Sequence, residues 1–139
     1  MTRNPVVALI IIINYYLYRF YQRWYPAPTS HAVQVAAFLL TINVGEVAAA
    51  CGAFPPPGPD TPPYPPTGLV LLFLLVLGLM GALSYFLVFY KDRDRDLFLA
   101  MSHGTVKARK TYFFVFWTYF LLTVGPLALF FFVKVSNLK

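Results

Sequence analysis

Glu46 is the one acid that falls inside an apolar stretch of this sequence. Asn43 lies three residues before it and Thr41 five. Residues three apart share a helix face, so Glu46 and Asn43 sit together. A carboxylate within a bilayer is costly unless it is paired, neutral or wetted. Two chemistries answer that. In one, Glu46 relays a proton or cation, or serves as counter-ion to a ligand. In the other it is hydrogen-bonded to neighbouring helices and its role is packing. No other apolar stretch offers a cationic partner, and packing is favoured on that ground. Asn14, in an earlier apolar stretch, could join Asn43 and Glu46 in a buried polar network if it reaches the same depth.

The other chemistry-bearing residues form no constellation. His31 and His103, with Asp92, Asp94 or Asp96, would supply metal-ligand atoms, but their spacing matches no ligand pattern. Cys51 is the single cysteine, so no internal disulfide can form, and it reads as a small packing residue. The alternation of Asp92, Asp94 and Asp96 with Lys91, Arg93 and Arg95 neutralises the acids, and the second motif of a metal-dependent lipid transferase is missing. No phosphate-binding glycine loop, no nucleophile elbow and no zinc-protease helix motif occurs. No catalytic residue, metal or cofactor is expected.

These residues need elements to hold them, and the elements are hydrophobic. The chain has 139 residues, of which 59 % are hydrophobic and 12 % charged; an average soluble domain has about 25 % charged residues. No soluble fold of this size hides so much apolar surface. The stretch Gly68–Tyr90 sets the class: it holds no charge, it is followed at once by Lys91–Asp96, and at about 1.5 Å per residue it exceeds the roughly 30 Å bilayer core. The net charge is +6. The basic residues stand at the ends of apolar stretches, which points to orientation and anionic headgroups and away from nucleic acid.

Four segments are expected as spans. The first covers about 5–25. Asn4-Pro5 starts it, and a ladder of Tyr15, Tyr16, Tyr18, Phe20, Tyr21, Trp24 and Tyr25 closes it. Arg19 and Arg23 share a face there and snorkel to headgroups. Bulky tyrosines stand where a cleavage site would need small residues, so the segment is expected to be retained as its own targeting signal. The alternative is three spans with this segment lying flat at the interface. The second covers about 31–54, with Ser30 as its cap; its four-spaced small pairs Gly45/Ala49 and Ala48/Gly52 invite close helix approach. A proline-rich exterior loop follows at 55–67. It reads as a stiff surface loop, with docking of a partner as the sharper alternative. The third span covers about 68–90, with the small pair Gly78/Ala82. A basic loop at 91–110 holds a short surface helix near Leu97–Met101, broken by Gly104, and ends in Lys107, Arg109 and Lys110. The fourth span, about 111–133, should kink near Leu122 because of Pro126, with Thr123 placed to satisfy freed backbone groups.

If all four segments cross, Arg19, Arg23, Lys91, Arg93, Arg95, Lys107, Arg109 and Lys110 share one side. Arg3, Lys134 and Lys139 share the other. That bias puts 91–110 in the cytoplasm and 55–67 outside, in a bacterial inner membrane. The pattern Tyr15-Tyr16-x-Tyr18-Arg19-Phe20, then a span containing Asn43, then a basic loop before an aromatic last span, resembles short uncharacterised bacterial multi-span membrane proteins. The resemblance covers most of the chain in outline and carries over no activity.

The expected architecture is an all-α membrane bundle of four helices. The expected role is non-catalytic: an accessory or assembly subunit whose partners are membrane lipids and other membrane subunits or copies of itself, with no nucleic acid. The alternative is a homo-oligomeric channel, pore or ion-coupled transporter using Glu46 and Asn43. A third class is a surface sensor acting through Lys107, Arg109 and Lys110.

Overall fold

The computed structural model describes residues 4–54, 58–60 and 66–138. Most of the expected proline-rich loop (55–57 and 61–65), together with Arg3 and Lys139, lies outside the described residues. The described chain is all-helical, with no strand. Helix α1 spans Pro5–Tyr21, α2 Pro28–Ala50, α3 Thr67–Ser84, α4 Arg93–Ser102 and α5 Val106–Ser136. Three helical runs are long and apolar enough to cross a membrane: α2, the run from Thr67 to Ser102, and α5. The protein is a small helical bundle embedded in a membrane.

Each boundary has a local cause. The Asn4 carboxamide caps α1, its Oδ1 accepting from the Val6 N–H at 2.9 Å, and Pro5 fills the first turn, where no donor is needed. Helix α2 begins three residues before the expected His31, because Pro28 initiates it. Ser30 is therefore inside the helix and not its cap; its Oγ accepts from Gln34 Nε2 at 3.4 Å. The far end of α2 closes at Gly52, whose φ of +78° is open to glycine at little strain. The Gly52 N–H bonds the Ala49 carbonyl at 3.0 Å and the Ala53 N–H the Ala48 carbonyl at 2.9 Å, the paired bonds of a Schellman ending.

The third expected span, 68–90, is α-helical only as far as Ser84. A π-helical turn, Tyr85–Phe89, follows, then a tight turn in which Lys91 (φ 54°) and Asp92 (φ 57°) take left-handed conformations. The residues expected as the loop 91–110 are mostly helical. Arg93–Ser102 form α4, and Lys107, Arg109 and Lys110 belong to the first turns of α5, which Thr105 caps by accepting from the Ala108 N–H at 3.2 Å. Helix α5 stays helical through Pro126 to Ser136.

The core is not built around Gly68–Tyr90. It is built around α1. Ile10, Ile11, Ile12, Ile13 and Asn14 are all buried, and successive residues step about 100° around a helix, so α1 is covered on every side. A helix lying on a surface would bury one stripe only. Its neighbours are α2, α3, the π turn and α5. At one end of the bundle the tyrosine ladder meets α4: Phe98 lies edge-on to Tyr15 at 5.3 Å and also packs on Tyr18 and Phe89. Helix α3 has the most apolar sequence and is the most exposed. Leu71, Leu72, Leu74, Leu75 and Leu79 all face outward. In lipid that is the stable arrangement, since the solvent is as apolar as leucine.

Candidate functional site

A polar cluster joins α2 to α5. The Asn43 amide nitrogen donates to the Tyr119 hydroxyl, and to the Leu39 carbonyl one turn back at 3.1 Å. The Thr123 hydroxyl donates to Asn43 Oδ1 at 3.1 Å. Tyr119 and Thr123 are four apart on α5, so one face of that helix presents both hydroxyls to one amide. Thr123 is buried and Asn43 partly so. The role expected for Thr123, satisfying backbone freed by Pro126, gives way to this bond, because the carboxamide of Asn43 stands within its reach.

Glu46 sits three residues beyond Asn43 on the same face of α2. Its Oε1 is enclosed and has no hydrogen-bond partner among the described residues. Thr41 and Asn14 do not enter the cluster. The Thr41 hydroxyl bonds the Ala37 carbonyl of its own helix at 2.7 Å. Asn14 is fully buried in α1 and its amide donates to the Ile10 carbonyl at 2.9 Å, leaving Oδ1 without a partner among the described residues. Ser84, buried where α3 passes into the π turn, also holds an unpartnered hydroxyl.

The small residues divide. Gly45 and Ala48 line a shallow apolar groove of about 240 Å³ between α2 and α3, opposite Leu69, Leu72 and Val76. Ala49, Gly52, Gly78 and Ala82 are exposed. The closest glycine-mediated approach of α2 and α3 falls elsewhere: a Cβ built on Gly81 would meet the Ala37 Cβ at 3.6 Å, whereas one on Gly45 or Gly78 would meet nothing within 4 Å.

Three of the basic residues converge. Arg19 and Arg23 at the end of α1, and Arg109 at the start of α5, line one cavity of about 620 Å³; Lys107 and Lys110 do not line it. Its walls are aromatic, with Tyr16 stacked on Phe116 at 4.9 Å. Arg19 Nη1 donates to the Tyr15 hydroxyl at 3.2 Å, and its guanidinium lies 5.8 Å from that ring's centre. His31 stacks on Tyr25 at 4.2 Å, and Nδ1 is 3.2 Å from the Ala27 carbonyl oxygen. Among the described residues no three His, Cys, Asp or Glu come close enough to hold a metal. Cys51 is exposed.

No family model, curated protein or solved structure matches this chain. The residue that sequence reasoning passed over is Tyr119. The signal for it was the four-residue spacing of Tyr119 and Thr123 inside an aromatic span, two hydroxyls on one face with no water to satisfy them.

Proposed function

We propose that this protein is a non-catalytic subunit of a larger membrane assembly, and that Glu46 is the point at which a second chain engages it. The observation that carries this reading is the Glu46 carboxyl group, partly exposed on α2 and with its enclosed oxygen unpartnered among the described residues. An unsatisfied carboxyl group at membrane depth is expensive, and a donor from a neighbouring helix removes the cost. The groove between α2 and α3, which Glu46 does not line, supports helix approach on α2 as well, since Gly45 has open space around it. The distribution of Arg and Lys supports an orientation with Lys91–Lys110 in the cytoplasm of a bacterial inner membrane.

A second reading shares that carboxyl group. In it, copies of this chain assemble symmetrically with Glu46 and Asn43 facing the axis, and ions cross there. Purification from the native membrane in a gentle detergent, followed by mass analysis, separates the two. The subunit reading expects foreign chains in fixed ratio, lost on Glu46→Gln while the melting temperature of the isolated protein holds. A homo-oligomer alone, with flux that fails on Glu46→Gln, would replace it with the second.

A further inference from the structure

We propose that the cavity between α1 and α5 is a binding site for one anionic phospholipid, its phosphate held by Arg19, Arg23 and Arg109 and its upper acyl chain laid along Phe116 and Trp117. Three observations converge on that occupant. The first is charge. Arg19 lies in α1, Arg23 in the turn just beyond it and Arg109 in α5, far away in sequence; the fold brings them to one cavity, and among the described residues no acidic side chain lines it. Among the described residues none of the three makes an ion pair with a carboxylate. Guanidinium groups match phosphate oxygens in a planar fork.

The second observation is shape. About 620 Å³ is the size of a ligand site, not of a crevice for one or two waters. Tyr16 and Phe116 lie nearly parallel at one wall, with an interplanar angle of 29°, and Trp117 stands edge-on to Phe116 at 5.7 Å. Such walls suit an acyl chain, and the polar groups that a headgroup could bond are the arginines, the tyrosine hydroxyls, the Ser102 hydroxyl and the Trp117 N–H. A free phosphate would use the arginines and leave the aromatic walls uncovered. The third is position. Arg19 stands in the last turn of α1, Arg23 just beyond it, and Arg109 in the first turn of a membrane-spanning helix, so the charged end of the cavity lies at headgroup level and its apolar end at acyl-chain level. Arg19 is held in place by the Tyr15 hydroxyl, which reduces what is lost when it is ordered on a ligand.

The test uses Trp117 as its own reporter. The full chain carrying Trp24→Phe, a position outside the cavity lining, is reconstituted into phosphatidylcholine vesicles. Either dibrominated phosphatidylglycerol or dibrominated phosphatidylcholine is then titrated in. Brominated chains quench tryptophan on contact. The expected result is about a tenfold lower concentration for half-quenching by the anionic lipid, in line with the attraction of a few basic side chains for an acidic headgroup. Arg19→Gln with Arg109→Gln should bring the two lipids to within about twofold. Lys107→Gln with Lys110→Gln should leave the preference intact. Added inorganic phosphate should not reverse it. Equal quenching by the two lipids in the Trp24→Phe protein would overturn the proposal without recourse to any arginine variant. So would a preference that the lysine pair abolishes, because general surface charge would then explain it, or one that inorganic phosphate displaces. Melting temperatures in detergent establish that each variant is folded, and Arg19→Lys with Arg109→Lys, which keeps the charge, should retain part of the preference.

Discussion

Asn43→Leu is the substitution that most directly tests how α2 and α5 are joined. Leucine has the same branched heavy-atom skeleton as asparagine and keeps the helix, so the change replaces the carboxamide by apolar groups. Two interhelical hydrogen bonds disappear, one to the Tyr119 hydroxyl and one from Thr123. The third, to the Leu39 carbonyl, lies within α2 and contributes nothing to helix association. Interhelical hydrogen bonds in a bilayer average about 0.6 kcal/mol, so losing both should destabilise the fold by about 1.2 kcal/mol, roughly an eightfold shift in the folding equilibrium. Thr123→Val removes one of the two bonds and should cost about half as much. The double variant should cost little more than Asn43→Leu alone, because the Thr123 bond is already gone, which gives a coupling energy of about 0.6 kcal/mol. Equilibrium unfolding in mixed detergent micelles, followed by far-ultraviolet circular dichroism, measures all four corners of the cycle. Additive single effects would refute the reasoning, since they would mean that Asn43 and Thr123 act independently.

Two further substitution pairs test the packing. Gly81→Leu should push α3 away from Ala37 and cost about 1–3 kcal/mol, whereas Gly78→Leu, with open space around it, should leave the melting temperature of the isolated chain unchanged. Ile13→Ala, at a position with 0 % exposure in the middle of α1, should cost at least about 2 kcal/mol, while Leu75→Ala, 60 % exposed on α3, should stay within about 0.5 kcal/mol in the same unfolding assay.

The helical class was legible because it depends on length and apolar content alone, and Gly68–Tyr90 declares both. What that stretch does inside the bundle was not legible. In water the most hydrophobic segment is the most buried; in lipid the rule loses its force, and α3 went to the outside while the shorter α1, with its tyrosines and Asn14, went to the centre. The start of α2 was misplaced for a local reason: Pro28 is a better first-turn residue than Ser30 is a cap. The helical character of 91–110 was hidden by its charge, because Arg93–Asp96 reads as solvated coil until Phe98 is seen anchored against Tyr15. Glu46 and Asn43 were visible from composition, as lone polar groups in an apolar span. Their partner Tyr119 was harder to see, because tyrosine is common at membrane interfaces and only its four-residue spacing from Thr123 marks it as one of two hydroxyls on a face. The convergence of Arg19, Arg23 and Arg109 belongs to tertiary structure, since it needs α1 and α5 to be adjacent.

Enclosure of α1 has a consequence for how this protein comes into being. A ribosome delivers α1 before any of the elements that surround it, and domains made on the ribosome form from the N-terminal end first. The Ile10–Asn14 segment must therefore wait in the bilayer with its sides bare. It gains one wall when α2 arrives, more when α3 and the π turn are inserted, and its last when α5 is threaded. Assembly is thus inverted with respect to synthesis: the earliest helix is the last to be finished, and a chain that stalls before Val106 leaves the centre of the bundle open to lipid.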